Sequence, residues 1–320
     1  MSGFFHYFSS HASSFRGEFW GLLVGGLGSG IIYAMVAIGY TMVYGVLRLI
    51  NFAHSEIFMV GGFAGFFVLK YTIGSSTPTG FSSVLLIILG ILAGGTAGSL
   101  IAVLLERVAY RPLRKRGAPK IAYLISAIGA SYFLLNLAAK EFGRIGQSMV
   151  QPYTDHPVFT IFGAPVQMYT LIIFIVAAIM LVGLDRLVSA TKLGRGIRAV
   201  AQDSETASLM GVNIDKTIAV TFILGGFLGG VAGFLYAMNV GVLYSMGFTP
   251  ALKAFTAAVL GGIGNLRGAV LGGVILGVVE SFSVAFVDPA YIDVVAFAIL
   301  ILVLMFRPTG ILGEQIGRAA

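Results

Sequence analysis

Long apolar stretches alternate with short polar ones along almost the whole chain. A helix needs roughly 20 apolar residues to cross a hydrocarbon core of about 30 Å, and nine stretches approach or exceed that length. They are residues 20–43, 55–72, 82–105, 121–139, 168–185, 217–239, 250–264, 268–287 and 291–306. The pattern predicts an all-α fold, a polytopic membrane bundle of about eight or nine transmembrane segments, some of them short or broken.

The connections between these stretches define the domain organisation. The longest has only about 30 residues, too few for a soluble domain, so residues 1–320 form a single predicted transmembrane domain. Residues 250–264 are short and Gly-rich, which predicts a full crossing, a re-entrant segment or a half-helix. Residues 1–19 are rich in aromatic side chains and are expected to lie at the headgroup level. A long apolar span follows them, so we expect no cleaved signal peptide.

Basic residues indicate the orientation. Residues 106–120 hold six Lys and Arg, and residues 186–216 hold five. Two apolar stretches separate these segments, so both face the same side, which is expected to be the cytoplasm. If all nine stretches cross, fifteen of the twenty bases lie inside, with the N-terminus outside and the C-terminus inside. If 250–264 does not cross, this parity changes.

Composition removes several classes of function. The chain is 58% hydrophobic and 10% charged, with a mean hydropathy of +0.95 and no cysteine. Soluble domains carry about 25% charge, so a soluble enzyme or nucleic-acid module is disfavoured despite the net charge of +7. No Gly-Lys pair is present for a phosphate-binding loop, and the four histidines are scattered. We therefore expect no catalytic residue, no metal site and no directly bound cofactor.

A polar cluster interrupts the apolar pattern early in the chain. Asn51, His54, Ser55 and Glu56 stand between two apolar runs. Two explanations are open. Either the residues form an interfacial turn in which Asn51 or Ser55 caps the next helix, or they have a role in gating.

Three other acidic residues lie within or at the ends of apolar stretches. Glu280 lies in the middle of an apolar stretch, so it is expected to face the bundle interior, as a structural hydrogen-bonding group or as part of a pathway. The neighbours Glu106/Arg107 and Asp185/Arg186 are expected to be solvated ion pairs at span ends.

A second informative segment is residues 191–216. An amphipathic pattern predicts a short helix from about Gly196 to Leu209. Such a helix is marginal in water alone, so it needs the bundle, the lipid or another subunit as a partner. Asp203 and Glu205 disfavour a purely anionic-lipid contact, and the groove of a soluble subunit fits well.

Several strings, taken together, resemble permease subunits of ATP-binding-cassette importers for branched-chain amino acids, of the LivH type. The resemblance covers nearly all of the chain after about residue 20. The matching strings are YTMVYGVLRLINFAHSEIFMVGGF (40–63), ERVAYRPLR (106–114), LISAIGAS (124–131), GRGIRAVAQDSETASLMGVNIDKTIAVTFILGG (194–226), MGFTPALKAFTAAVLGGIGNLRGAVLGG (246–273) and PTGILG (308–313).

The resemblance implies a location and partners that composition does not give. It implies a multi-pass protein of the bacterial inner membrane that pairs with a second, related permease subunit of the LivM type. Two cytoplasmic ATP-binding subunits, of the LivG and LivF types, would bind its inner face and carry the ATP. An extracytoplasmic substrate-binding protein would deliver leucine, isoleucine or valine.

It also implies site residues. Residues 188–216 would be a cytoplasmic coupling loop, although AQD stands where the family motif suggests a Glu. The expected ATPase-coupling residues are Gly194, Arg195, Arg198, Gln202, Asp203, Glu205, Ala207 and Gly211. The expected substrate-pathway residues are Asn51, His54, Glu56, Lys253 and Glu280.

Alternative functions remain open on the sequence alone. Permeases of urea and short-chain amide importers look similar, and a stand-alone carrier or channel would need no docking loop. A membrane-embedded enzyme would need a convergent acid and base, for which Glu280 with His54 is the conceivable pair.

Overall fold

A computed structural model describes residues 2–73, 78, 80–153, 157–307 and 309–313, without the side chains of residues 2–17 and Pro289. A π-helical turn spans Glu106–Tyr110, and a 3-10 turn spans Pro289–Tyr291. The helices are α1 (Ser2–Leu47), α2 (His54–Thr72), α3 (Phe81–Leu105), α4 (Arg111–Lys115), α5 (Lys120–Glu141), α6 (Met168–Ala190), α7 (Lys192–Gln202), α8 (Ser204–Leu209), α9 (Ile214–Val240), α10 (Phe248–Gly261), α11 (Leu266–Ser283) and α12 (Ile292–Phe306). The strands are β1 (Pro157–Ile161) and β2 (Ala164–Gln167).

The helices confirm the predicted polytopic bundle. Among the described residues, six helical segments are long and apolar enough to cross a membrane. They are Glu18–Leu47, Phe81–Lys115, Lys120–Glu141, Met168–Ala190, Ile214–Val240 and Leu266–Ser283. Helix α2 has 19 residues with polar groups at both ends, and α10 and α12 have 14 and 15 residues. The bundle therefore contains both full-length and short helices.

Glycines bring α2, α3 and α9 into backbone contact. A Cβ added at Gly61 of α2 would overlap Gly230 of α9, and a Cβ at Gly230 would overlap Gly94 of α3. Apolar burial does not drive helices together in lipid, so this close approach is what allows dispersion contacts along the crossing. The glycine-rich faces thus specify the central three-helix contact.

Helix α10 settles how the chain passes through residues 241–264. Gly241 lies against Gln147, Gly247 lies against Ser55, and Gly261 packs on Gly268 of α11. After α9 the chain therefore turns back into the bundle, and α10 runs antiparallel to α11. At 1.5 Å per residue, α10 is only about 21 Å long, so it is a short helix that returns the chain to the other end of the bundle only together with residues 241–247.

The segments that connect the helices lie at two opposite ends of the bundle, as their contacts show. At one end Arg48 donates to the carbonyl of Ala201 (2.9 Å), and Ile311 donates to the carbonyl of Leu260 (2.8 Å). This end carries both base-rich segments together with Arg48, Arg267 and Arg307; we call it the inner end. At the other end Trp20 stacks on Phe162, with centroids 4.5 Å apart. That the inner end faces the cytoplasm stays a prediction.

Two features differ from the sequence prediction. Helix α1 continues without interruption from Ser2 to Leu47, and the interfacial placement of residues 1–19 stays a prediction. A β-hairpin, β1 and β2, lies between α5 and α6 where no strand is predicted. Its two-residue turn places Phe162 at φ 49° and Gly163 at φ 88°, which is the turn geometry that two-residue hairpins favour.

Candidate functional site

The turn between α1 and α2 buries Asn51. Its Oδ1 accepts hydrogen bonds from the hydroxyl of Tyr110 (2.9 Å) and from the N–H of Ala53 (3.1 Å). The hydroxyl of Ser55 donates to the carbonyl of Phe52 (2.9 Å). Neither side chain caps the first turn of α2. The capping explanation is therefore wrong, because Asn51 ties this turn to the π-helical turn instead.

His54 lies at the start of α2, fully inside the bundle. Its ring is 4.6 Å from that of Tyr40 and hydrogen-bonds the backbone of Val36. Its Nε2 has no hydrogen-bond partner among the described residues. A Cβ at Gly39 would lie 2.5 Å from that nitrogen, so α1 is shaped around the imidazole.

Glu56 connects α2 to α5. Its Oε1 accepts from the hydroxyls of Ser55 and Ser131, each at 3.0 Å, and the residue is 2% exposed. A buried carboxyl that no cation contacts among the described residues is costly to maintain, which is typical of functional positions in membrane proteins.

The buried Lys253 forms the centre of a second polar group, which extends to the exposed Asp293. Its Nζ lies 2.5 Å from Oε1 of Glu280 and 2.8 Å from Oδ1 of Asp293, and 6.0 Å from the centre of the Tyr33 ring. Oε2 of Glu280 is buried without a partner among the described residues. Glu280 thus faces the interior as predicted, and it pairs with Lys253 rather than with His54. The acid and base that an enzyme would need are not paired.

Helix α10 links the two polar groups. It carries Lys253, and Gly247 at its start lies against the carbonyl of Ser55. Phe255 packs near both Tyr40 (6.0 Å) and Phe52 (6.5 Å). No side chain caps the N-terminus of α10. All five predicted pathway residues therefore lie inside the bundle, in two groups joined by a short helix.

The predicted amphipathic helix at residues 196–209 is two helices. The hydroxyl of Thr191 caps α7 by accepting from the N–H of Gly194 (3.0 Å). Asp203 then breaks the helix and caps α8 by accepting from the N–H groups of Glu205 (2.9 Å) and Thr206 (3.3 Å). A single continuous helix is wrong because the carboxylate at 203 stabilises a new N-terminus there.

The side chains of α7 and α8 divide into two faces. Ile197, Val200 and Ala207 are buried against the bundle, and so is Gly194. The other predicted coupling residues are exposed: Arg195, Arg198, Gln202, Asp203, Glu205 and Gly211. The predicted coupling residues do not include the most exposed adjacent apolar pair of this segment, Leu209 (85%) and Met210 (81%).

Hydrogen bonds fix the ends of this segment. Arg198 donates to the carbonyl of Val188, and Gly211 ends α8 at φ 84°, a conformation that favours glycine. The hydroxyl of Thr206 and the two N–H groups bound to Asp203 hold the pKa of that carboxyl below its usual value. Asp203 is therefore ionised whenever the segment is folded at neutral pH.

An ion-pair network anchors the neighbouring segment. Arg114 contacts Glu106 (3.0 Å) and Asp215 (2.6 Å), and Asp215 also pairs with Arg111 (2.9 Å). The predicted Glu106/Arg107 pair is wrong, because the π-helical turn brings Arg114 to the buried Glu106 carboxylate.

The second predicted neighbour pair is also wrong. The closest described cation to Asp185 is Arg267 (3.7 Å), which joins α6 to the start of α11.

These features define a multi-pass helical membrane protein with paired charges in its interior and exposed short helices at its inner end. A family model described as a branched-chain amino acid transport system permease component matches residues 22–304. The chain belongs to this permease family.

Similarity to individual proteins extends over nearly the full length. The chain is 43% identical over 297 residues to the high-affinity branched-chain amino acid transport system permease protein BraD of Pseudomonas aeruginosa, covering 91% of this chain and 95% of BraD. It is 40% identical over 293 residues to the corresponding protein LivH of Escherichia coli, covering 90% and 94%. A probable LivH of Methanocaldococcus jannaschii is 28% identical over 301 residues, covering 88% and 90%.

These findings confirm the main sequence prediction. The chain is a multi-pass inner-membrane permease of the branched-chain amino acid transport family, which is supported over the urea and amide alternative. The roles predicted for individual coupling and pathway residues stay predictions.

Proposed function

We propose that this chain is the permease subunit of an ATP-driven importer that moves leucine, isoleucine and valine across the inner membrane. ATP binds and is hydrolysed on two cytoplasmic subunits of the LivG and LivF types. A second permease of the LivM type completes the path, and an extracytoplasmic binding protein delivers the substrate. The similarity to BraD and LivH over nine tenths of the chain carries this proposal.

The exposed pair at the C-terminal end of α8, Leu209 and the adjoining Met210, supports docking to an ATPase. Leu209 and Met210 are more than four fifths exposed at the inner end, while the opposite face of the same segment is buried in the bundle. Water disfavours two adjacent exposed apolar side chains on a short helix, and a groove in a soluble subunit would cover them. On the same segment, Glu205, Arg195 and Gln202 would supply polar contacts at the edge of this interface.

Docking is tested on this pair rather than on Arg198 and Asp203, because those two also hold the segment's own structure. We expect Leu209→Asp to abolish co-purification of the ATPase subunits and ATP-dependent leucine uptake in the reconstituted importer. Ile145→Asp is the matched control, since Ile145 is also 85% exposed but lies at the opposite end. Co-purification that survives Leu209→Asp would refute docking through α8.

The buried charges support the proposed pathway. A zwitterionic amino acid needs a partner for its carboxylate and one for its ammonium group. Lys253 and the uncapped start of α10 supply positive potential, and the unpartnered Oε2 of Glu280 supplies an acceptor. Asn51, His54 and Glu56 line the adjoining start of α2. We propose that the substrate passes between these two groups.

Substrate class is tested by uptake into vesicles containing the complete importer. We expect saturable uptake of radiolabelled leucine, isoleucine and valine that requires ATP. Uptake of urea in place of these amino acids would support the amide-importer alternative. Leucine movement without any ATPase subunit would support a stand-alone carrier.

A further inference from the structure

A cavity of about 280 Å³ opens at the inner end, between the end of α1 and the start of α5. None of the proposed coupling or pathway residues lines it. Its lining residues are Tyr44, Arg48, Leu49, Ile50, Lys120, Ile121 and Leu124.

The charged lining of this cavity is entirely basic. Lys120 is exposed and has no ion-pair partner among the described residues, and no acidic side chain lines the cavity. Arg48 donates to the Ala201 carbonyl through one Nη, which leaves its other N–H groups available. The backbone of Arg48 has φ 54°, a conformation that non-glycine residues rarely adopt. The chain thus holds this cation in place at a cost in backbone energy.

The start of α5 adds positive potential at the same point. This helix begins at Lys120, and no side chain caps its first turn. Uncapped N–H groups at the start of a 22-residue helix favour an anion beside them. Two cations and a helix N-terminus therefore converge on one opening.

The remaining wall is apolar and continues along the outside of α5. Leu49, Ile50, Ile121 and Leu124 line the cavity. Ile121 is 57% exposed and Ile125, one turn further along, is 64% exposed. An anion-binding opening next to an exposed apolar helix face fits a molecule with an anionic head and a hydrocarbon tail.

We propose that this cavity binds the headgroup of an anionic phospholipid from the inner leaflet. The phosphate lies between Arg48 and Lys120, and an acyl chain follows Ile121 and Ile125. A transported amino acid fits less well, because its ammonium group would meet two cations and no carboxylate. Free phosphate would leave the apolar wall unused. Basic pockets between membrane helices on the cytoplasmic side are a recurrent way of binding such lipids.

The test measures lipid retained by the purified full-length protein. The protein is incubated in detergent with phosphatidylglycerol or phosphatidylcholine, and native mass spectrometry counts the bound lipid. We expect at least fivefold more phosphatidylglycerol than phosphatidylcholine on the unchanged protein. Arg48→Gln/Lys120→Gln should abolish that preference. Lys120→Gln alone, which leaves the Arg48–Ala201 bond intact, should reduce it.

The matched control is Lys140→Gln/Arg144→Gln, which removes two exposed charges at and just beyond the opposite end of α5 and should leave the preference unchanged. Equal retention of the two lipids, or an unchanged preference in Arg48→Gln/Lys120→Gln, would overturn the proposal. Displacement of the lipid by millimolar inorganic phosphate would instead indicate a free-anion site. Loss of leucine-induced thermal stabilisation in Lys120→Gln would assign the cavity to the substrate.

Discussion

Lys253 Nζ lies 2.5 Å from Oε1 of Glu280, across the contact between α10 and α11. The two residues are 27 positions apart, and Asp293 at the start of α12 holds the same ammonium group from a third helix. One cation therefore links three helices through two carboxylates. The second carboxyl oxygen of Glu280, Oε2, is buried without a partner among the described residues, so it can accept a further cationic group.

Glu280→Gln tests whether this group serves transport. A glutamine keeps an oxygen for Lys253, and Asp293 still neutralises the ammonium group, so folding should be largely retained. The negative charge available to a substrate is lost, and we expect leucine uptake to fall about tenfold or more. Uptake per unit of membrane-inserted protein, measured by quantitative immunoblot and vesicle transport, checks this. An equal fall in insertion and uptake would leave Glu280 with a folding role alone.

The network at Glu106 yields a stability prediction. Arg114→Met leaves the Glu106 carboxylate, whose side chain is 1% exposed, without its cation. Losing one partner of a buried pair costs about 3–5 kcal/mol, so the melting temperature in detergent should fall markedly. Arg107→Met is the control, because Arg107 is exposed and not part of the described network. A similar loss in both variants would mean that total charge, not the pairing, stabilises this end.

The helix crossing at Gly230 predicts a strong effect of a single methyl group. Gly230→Ala would place a Cβ into the backbone of Gly94, and overpacking typically costs about 1–3 kcal/mol or more. Gly183→Ala in α6 meets nothing within 4 Å and should be neutral or slightly stabilising, since alanine favours helix. Fluorescence-detected gel filtration after heating compares the two. Equal thermal stability would show that α2, α3 and α9 can move apart without cost.

Asp203 gives a pH prediction with a defined sign. Its pKa is lowered by the hydroxyl of Thr206 and by two backbone N–H groups, so the cap stabilises α8 at every pH above the ordinary value of 3.8. That stabilisation is lost only as the pH falls through the lower pKa of the folded segment. We therefore expect the contribution of Asp203 to ATPase co-purification to stay constant between about pH 5.5 and 8.

Two substitutions separate the cap from the charge. Asp203→Asn keeps a capping oxygen and should retain co-purification, whereas Asp203→Ala removes the cap and should weaken it. Loss with both variants would show instead that the negative charge itself contacts the partner.

The sequence predicts the long spans well because span length and apolarity are local properties. The same reasoning does not decide whether residues 250–264 cross the membrane, because a 14-residue apolar helix is also typical of the core of a soluble protein. The hairpin turn at Phe162–Gly163 was missed because phenylalanine is not a usual residue for a positive φ. The break at Asp203 had a local signal, since aspartate is a favoured N-cap and residues 204–206 follow as a first helical turn.

The sequence indicated which polar residues lie inside the bundle, but not which residues they contact. An isolated glutamate in an apolar span is expected to face the interior, and Glu280 does so, while its role in transport stays a prediction. Its partner Lys253 lies on another helix, and no sequence spacing connects the two. Likewise, Glu106 looked like the partner of Arg107 because they are adjacent, whereas the π-helical turn offers it Arg114. Tertiary packing determines these ion pairs, and the packing cannot be inferred from a single sequence.

The return segment at residues 241–247 has a consequence for biosynthesis. Helix α10 is too short to be threaded as an independent span, yet the chain must still change sides between Val240 and Leu266. We therefore expect residues 241–261 to insert as one unit, after α2 is in place to receive Gly247. Deleting residues 241–261 would leave α11 and α12, which follow them, without a defined side to enter from.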